Sequence, residues 1–407
     1  MTPPPPGAER TEVQPGKKSG SRLLHILSDL IGFDTTSRNS NLRLISYVQD
    51  YLDRYKVESE LVYDTSGNKA NLYATIGSPT TGGIMLSGHT DVVPVEGQHW
   101  VTDPFVLNQS EGKIFGRGSA DMKGFIACVL DKVPAMVQAN LCKPIHIALS
   151  YDEEVGCVGV RGLLSAMESM AVLPSMAIIG EPTNMNIVVA HKGKRALRVV
   201  VTGASSHSAY PTDGVNAIGF ASHLITHIDE LQNQIAEEGP IDDGYAVPHS
   251  TLHVGLIHGG TALNIVPNRC SFEFEIRHLP EHDGDLLIEL IREYAQETLN
   301  PIMHSKNADS GIKLEELFGY PPLFTKPSDP IVTFLISLLE KHSKVEKISF
   351  GSEAGLFSGR LGIPSVVCGP GSISQAHKPD EYVTLEQLQL FSSMLDRLIH
   401  KLNIAGE

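Results

Sequence analysis

Long apolar runs are missing from this chain of 407 residues. None approaches the roughly 20 consecutive apolar residues that a helix needs to cross a bilayer. Residues 1–20 also contain no apolar core of the kind found in signal peptides, and they are rich in proline, glycine and charge. We therefore expect no contact with a membrane, and we predict that residues 1–20 form a disordered tail.

Cysteine is scarce and never occurs as a closely spaced pair. The five cysteines are odd in number, are scattered along the chain and include no C-x-x-C motif. Most of them lie in apolar runs, where a thiol packs as a small core side chain. This pattern excludes a disulfide framework and predicts a cytoplasmic protein whose cysteines are not metal ligands.

Clusters of basic residues are also few. The formal net charge is −15, and the only basic stretches are Lys17-Lys18 and residues 192–195. A chain with this charge balance does not present the basic surface that binds nucleic acids or anionic membranes. We therefore expect a small-molecule partner and no nucleic acid.

Short apolar runs alternate with segments of helical periodicity through the first half of the chain. The runs at residues 84–86, 145–149 and 176–179 are typical of buried strands, and the pattern predicts an α/β fold with a helix-covered, largely parallel sheet. In such sheets ligands bind beyond the carboxyl ends of the strands. Four residues with acidic or imidazole side chains follow these runs: His89, Glu153, Glu154 and Glu181.

The pattern changes after residues 191–193. From there the predicted order is β-α-β-β-α-β, which is that of a ferredoxin-like α+β domain. In its third strand the apolar residues 272, 274 and 276 are expected to face one side, and Glu273, Glu275 and Arg277 the other. We predict that residues 194–318 form a domain inserted, as a lid, between two parts of a catalytic domain, residues 21–193 and 319–407.

The polar residues at the strand ends suit a metal site, although each pair alone also fits a polar loop. His89 and Asp91 point to the same side of an extended segment, and a metal-binding imidazole usually gives its second N–H to a carboxylate. Glu153 and Glu154 would repel each other in a dry pocket unless a cation or a proton compensated them. On an exposed loop the same pair would have no function.

The candidate ligands are sufficient for two ions. His89 and Glu181 would hold one ion, Glu154 and His377 the other, and Asp121 would bridge both. Imidazole and carboxylate ligands without a thiolate suit Zn²⁺ first, with Co²⁺ or Mn²⁺ as alternatives. Glu153 would then remain available as a general base.

Five motifs resemble those of the dinuclear-zinc family of acylases, deacylases and carboxypeptidases. They are GHTDVVP, GRGSADMKG, DEEVG, GEPT and GPGSISQAHKPDEY, and they occur in this order from residue 88 to residue 382. The resemblance implies two metal ions, Glu153 as the general base, Asp91 as the partner of His89, and a cis peptide bond after Asp121. The ligands that it implies are His89, Asp121, Glu154, Glu181 and His377.

The resemblance also implies roles for the inserted domain. In similar enzymes this domain forms a homodimer and lends a histidine to the active site of the other subunit. The matching residue is His207, while Asn264 and Arg277 match the residues that grip the substrate. A loop histidine without a role and an ordinary surface arginine beside Glu275 are the alternatives. Residues 352–354 are also expected to line the pocket.

The expected activity is hydrolysis of the amide bond of an N-acyl amino acid. Within the same family, an aminoacylase, a desuccinylase and a dipeptide-cleaving carboxypeptidase remain open alternatives. A catalytically silent scaffold with the same fold is a different kind of alternative, but the complete ligand set disfavours it. No G-x-S-x-G motif lies between a strand and a helix, which excludes the usual serine-hydrolase arrangement.

Overall fold

The computed structural model describes residues 19–339 and 343–403. Residues 1–18 of the predicted tail lie outside the described residues, and the first helix begins at Ser19. Within the described ranges no helix is both long enough and apolar enough to span a membrane.

The described residues form ten α-helices and sixteen strands. The helices are α1 (Ser19–Ile31), α2 (Leu42–Asp53), α3 (Lys123–Gln138), α4 (Val160–Met167), α5 (Ala217–Glu238), α6 (Gly284–Glu293), α7 (Asn300–Lys306), α8 (Pro330–Ile336), α9 (Ala354–Leu361) and α10 (Leu385–Leu402). The strands are β1 (Ser59–Tyr63), β2 (Ala70–Ile76), β3 (Ile84–His89), β4 (Asn108–Ser110), β5 (Lys113–Phe115), β6 (Ile145–Ser150), β7 (Met176–Ile179), β8 (Ile187–His191), β9 (Gly193–Thr202), β10 (Thr251–Gly259), β11 (Arg269–His278), β12 (Gly311–Tyr320), β13 (Leu323–Phe324), β14 (Val345–Ile348), β15 (Ser365–Val367) and β16 (Tyr382–Thr384).

The larger sheet has the strand order β1-β2-β6-β3-β7-β15-β8-β13, and β14 also pairs with β8. Its central strands β6, β3, β7 and β15 are parallel, while antiparallel pairs occur on both flanks. Every residue of β3 and β6 is buried because helices cover both faces of the sheet. Helices α1, α2, α3 and α10 share one apolar cluster, and α4 and α9 contribute to another. The predicted α/β class with a largely parallel central sheet is confirmed.

The smaller, antiparallel sheet has the order β10-β11-β9-β12. Helices α5 and α6 contribute to one apolar cluster with Leu197 and Val199 of β9 and with Phe272, Phe274 and Ile276 of β11. The predicted burial of alternate residues in β11 is therefore confirmed. We retain residues 194–318 as the proposed limits of the inserted domain.

Candidate metal centre

Three neighbouring parallel strands place the candidate ligands at one edge of the larger sheet. His89 is the last residue of β3, and Glu153 and Glu154 follow β6, which pairs with β3 on one side. Glu181 follows β7, which pairs with β3 on the other side. Because these strands run in the same direction, their carboxyl ends meet, and residues that are distant in the sequence become neighbours.

The five predicted ligands come together around Asp121. His89 Nε2 lies 3.0 Å from Asp121 Oδ1, and His377 Nε2 lies 3.4 Å from Asp121 Oδ2. Glu154 Oε2 is 2.9 Å from His377 Nε2, and Glu181 Oε1 is 3.8 Å from His89 Nε2. The carboxylate of Asp121 thus lies between the two imidazoles with one oxygen toward each.

The chemistry of this cluster fits divalent cations. Ligand atoms of His89, Asp121 and Glu154 lie within 4.8 Å of one another, and so do those of His89, Glu153 and Glu181. Glu181 Oε1 is buried and has no hydrogen-bond partner among the described residues. A buried carboxylate oxygen without a partner is costly, and a metal ion would supply the missing interaction.

The pKa values show the excess of negative charge in the cluster. Burial raises the pKa of Glu153 to about 8, and the neighbouring carboxylate of Glu154 adds to that rise. Burial and the charge of Asp121 raise the pKa of Glu154 to about 7. Hydrogen bonds to Asp121 and Glu154 raise the pKa of His377 to about 10. Cations bound among these groups would relieve the repulsion between the carboxylates.

Asp91 contacts more groups than the sequence predicts. The Nδ1 atom of His89 lies 2.9 Å from the backbone carbonyl oxygen of Asp91 and 3.5 Å from its carboxylate. The carboxylate accepts hydrogen bonds from the amides of Glu153 and Glu154, at 3.1 Å and 3.3 Å, and from the hydroxyl of Ser37 at 2.7 Å. Asp91 therefore contacts His89 mainly through its backbone, and its side chain holds the turn that carries the two glutamates.

The loop before α3 depends on a carboxylate that sequence reasoning missed. The peptide bond between Asp121 and Met122 is cis, as predicted. Glu381 Oε1 accepts hydrogen bonds from the amides of Ala120 and Asp121, at 2.9 Å and 3.0 Å. Its position four residues after His377 was a signal, but nothing in the sequence links it to the Asp121 loop.

A cavity of about 160 Å³ lies between the candidate ligands and the smaller sheet. Arg277, which the sequence predicts as a substrate-binding residue, lines it, and so do Lys194 and Tyr320 of the same sheet. The expectation for residues 352–354 is not met: Phe350 and Gly351 line the cavity, whereas Ser352 and Glu353 are buried and absent from its described lining.

His207 and Asn264 are placed elsewhere. Neither side chain lines the cavity in the described part of the chain, and both are exposed. His207 Nδ1 accepts a hydrogen bond from the amide of Ala209, and the carbonyl oxygen of Asn264 accepts one from the amide of Ser208. The single chain therefore brings these two residues close to each other but not into the lining of its own cavity.

Comparisons with known proteins point to one family. The model of Peptidase family M20/M25/M40 matches residues 85–401. Acetylornithine deacetylase of Proteus mirabilis (strain HI4320) is 33% identical to this chain over 376 residues, which cover 91% of this chain and 93% of that protein.

Solved structures resemble the whole fold. An M20 family metallo-carboxypeptidase from Sulfolobus solfataricus matches with a TM-score of 0.76 and 18% identity, over 93% of this chain and 98% of the other. A dinuclear metal binding peptidase of the M20 family from Bacillus subtilis matches with a TM-score of 0.63 and 16% identity, over 94% of this chain and 98% of the other. At these identities the likeness concerns the fold alone.

Proposed function

This chain belongs to peptidase family M20/M25/M40, and on that premise we propose that it hydrolyses N²-acetyl-L-ornithine to L-ornithine and acetate, a step of arginine biosynthesis. The support is the similarity to the Proteus mirabilis acetylornithine deacetylase along nearly the full length of both chains. Several local sequences also resemble those of acetylornithine deacetylases, among them AIIGEPT at residues 177–183, AHKG at residues 190–193 and GVNAI at residues 214–218.

We propose that two divalent ions bind to the cluster, with Zn²⁺ as the preferred metal and Co²⁺ or Mn²⁺ as alternatives. His89 and Glu181 would hold one ion, Glu154 and His377 the other, and Asp121 both. The observation that supports this arrangement best is the position of Asp121 between two imidazoles, with a different oxygen toward each.

When bound, such ions polarise an amide carbonyl and lower the pKa of water. Glu153 lies beside the cluster and carries the proton during the reaction. Its carboxylate accepts a proton from the attacking water and then donates it to the nitrogen of the leaving amine, so that the C–N bond breaks as the amine leaves. Arg277 on the opposite wall of the cavity binds the carboxylate of the substrate.

We further propose that the protein is a homodimer in which His207 and Asn264 serve the cavity of the partner subunit. Their exposed position on the smaller sheet and its loops fits a contact with a second copy. The loop between β10 and β11 also carries an exposed apolar residue, Leu263. From the partner, His207 would donate a hydrogen bond to the oxyanion that develops on the attacked carbonyl.

An assay of acetate release from N²-acetyl-L-ornithine tests the proposed function. We expect turnover that a chelator abolishes and that added Zn²⁺ or Co²⁺ restores. Faster hydrolysis of another N-acyl amino acid, an N-succinyl amino acid or a dipeptide would identify a different deacylase or a carboxypeptidase. No turnover of any of these substrates, together with no bound metal in the purified protein, would favour the catalytically silent scaffold.

A further inference from the structure

The wall of the cavity opposite the metal centre is a row of three side chains on adjacent strands. Lys194 of β9 lies directly opposite Arg277 of β11 in the antiparallel register. On its other side Lys194 lies opposite Tyr320 of β12. All three residues line the cavity that also contains Asp121 and Glu153. The smaller sheet therefore presents two cations, one above the other, to the site.

Two cations in directly opposite positions of a sheet repel each other and need compensation. Glu275 provides part of it, with Oε2 at 2.8 Å from Lys194 Nζ and Oε1 at 2.8 Å from Arg277 Nε. One carboxylate cannot neutralise two cations, so the triplet of Lys194, Glu275 and Arg277 keeps a formal charge of about +1 at neutral pH.

A second ion pair on the same two strands shows the contrast. Arg198 of β9 lies opposite Glu273 of β11, and their side chains are 2.7 Å apart. This pair has one cation and one anion and is absent from the described lining of the cavity. Arg198 is therefore neutralised by a carboxylate of its own, whereas Lys194 and Arg277 share one carboxylate.

Once metal ions are bound, the carboxylates of the metal centre would no longer neutralise the positive charge of this triplet. Asp121, Glu153, Glu154 and Glu181 carry at most four negative charges, which two divalent cations would balance. Lys194 also lies 5.2 Å above the ring of Phe318, another residue of the cavity wall. This contact and the bond to Glu275 hold the ammonium group on the smaller sheet.

We propose that Lys194 is a second binding group, beside Arg277, for the free α-carboxylate of the N-acyl amino acid, and that Lys194 determines the specificity for substrates with that carboxylate. The proposal rests on the proposed function of the site as an amidohydrolase centre. Arg277 donates to Glu275 through Nε. Arginine can bind a carboxylate bidentately through a pair of nitrogens, and the two Nη atoms of Arg277 form such a pair. Lys194 would add a second positive charge to the carboxylate-binding site. Tyr320 lies on the other side of Lys194 and lines the same cavity.

The test compares Lys194→Met, Lys194→Arg and the wild type on N²-acetyl-L-ornithine and on its α-carboxamide. For Lys194→Met we expect KM for the acid to rise about 10- to 100-fold, with kcat changed less than about threefold, because a charge-assisted contact present in both ground and transition states is lost. KM for the carboxamide should stay unchanged, and Lys194→Arg should retain most of the affinity for the acid. The matched control is Arg198→Met, which removes a cation from the same strand but should affect neither substrate.

Equal effects of Lys194→Met on the acid and on the carboxamide, or no effect on either, would overturn the proposal. A purely structural role would lower the melting temperature and reduce the turnover of both substrates together. If the wild type hydrolyses another N-acyl amino acid instead, the same comparison is made with that acid and its carboxamide. If it hydrolyses none, calorimetric titration of the metal-loaded proteins with N²-acetyl-L-ornithine and its carboxamide gives the same discrimination in binding.

Discussion

A buried ion pair between Arg117 and Glu381 connects the two loops that carry Asp121 and His377. Glu381 Oε2 accepts hydrogen bonds from the amide of Gly118 at 3.0 Å and from Arg117 Nη1 at 2.8 Å, in addition to the two amides bound by Oε1. Arg117 Nη2 in turn donates to Gln98 Oε1, and Gln98 Nε2 donates to the carbonyl oxygen of His377. The Glu381–Arg117 pair therefore positions residues at both ends of the proposed metal centre.

Replacing Glu381 by glutamine should weaken metal binding although the side chain keeps its shape. In the wild type, both carboxylate oxygens of Glu381 accept hydrogen bonds from backbone amides. In the variant, the NH₂ group of Gln would replace one of these oxygens and could not accept a hydrogen bond, so the Asp121 loop would lose its fixed geometry. Loss of a residue that orients a ligand typically costs about 10- to 100-fold in metal affinity. Competition with a chromophoric chelator measures this affinity, and the exposed Glu386→Gln variant is the control. Equal affinities for Glu381→Gln and wild type would contradict the positioning role.

Removal of the proposed general base separates metal binding from catalysis. We expect Glu153→Ala to retain its bound metal but to lose about 10²- to 10⁴-fold in kcat, because proton transfer by a positioned carboxylate contributes that much. Metal analysis and the acetate assay are made on the same sample. A variant that hydrolyses the substrate at nearly the wild-type rate would show that another group takes the proton.

His146 makes the stability of the protein depend on pH. Its ring is buried in β6, 2.9 Å from the hydroxyl of Tyr73, and burial lowers its pKa from 6.5 to about 4. Below pH 6.5 the unfolded chain binds a proton that the folded chain does not, so this group removes stability as the pH falls from about 6.5 to about 4. Above pH 6.5 the two states bind equally few protons, and the full stability is present.

The wild type and His146→Gln are first treated with a chelator to remove metal. When the pH is lowered from 7 to 5, we expect the free energy of unfolding to fall by about 2 kcal/mol less for His146→Gln than for the wild type. Urea unfolding at the two pH values measures the free energies. His258→Gln, which changes an exposed ring, should behave like the wild type. An identical loss of stability in His146→Gln and wild type would show that His146 is not buried as a neutral ring.

At the scale of one element, helix α5 begins within the GVNAI sequence, and a residue of this sequence caps the helix. In the GVNAI sequence, Asn216 is the N-cap of α5, and its side-chain oxygen accepts a hydrogen bond from the amide of Gly219 at 3.0 Å. This cap satisfies one of the amides that have no partner at the start of a helix. The helix then packs its apolar face, including Leu224 and Ile228, on the smaller sheet.

Asn216→Ala should lower the free energy of unfolding by about 1 kcal/mol, because it removes this cap. Asn216→Ser should restore most of the loss, since serine is also a good N-cap residue. Asn233→Ala provides the matched control at an exposed position inside the same helix, where alanine is the better helix former. Equal stabilities of Asn216→Ala and wild type would mean that the cap contributes little.

At the scale of the whole molecule, the larger and the smaller sheet meet at the cavity that contains the candidate metal centre, and the proposed dimer would complete this active site. The larger sheet positions the proposed ligands His89, Glu154 and Glu181 at the ends of its strands. The smaller sheet supplies Lys194 and Arg277 to the cavity wall. His207 and Asn264 lie outside the described lining of that cavity. An active site that needs a second copy would therefore be shared between subunits.

Mixed dimers test this sharing. A dimer of one Glu153→Ala chain and one His207→Ala chain should contain one intact site, made from Glu153 of the latter and His207 of the former. Coexpression of the two inactive variants at equal levels should restore about a quarter of the wild-type activity, because half of the dimers are mixed and each has one active site. Two differently tagged His207→Ala chains are the control and should stay inactive. No recovery in mixed dimers isolated through both tags would contradict the proposed role of His207.

The amino-acid sequence by itself predicts much of this fold and much of its candidate metal centre. Alternating apolar runs and helical segments predict the parallel centre of the large sheet, because periodicity reflects which faces are buried. The places of His89, Glu153 and Glu181 follow from their position at or just after the carboxyl ends of buried strands. The exposed location of His207 did not follow from sequence, since exposure depends on what packs nearby.

Contacts between distant residues required the folded chain. Arg117 and Glu381 are 264 positions apart, and they meet only because the loop before α3 and the loop before β16 come together. Lys194 belongs to the cavity wall because the register of β9 against β11 places it opposite Arg277. Local periodicity records burial along one segment, whereas register and loop packing depend on all segments at once. That is why the imidazole and carboxylate groups of the candidate centre were predictable from the sequence. The contacts of Arg117 and Glu381, which orient this centre, and the position of Lys194 across the cavity were not.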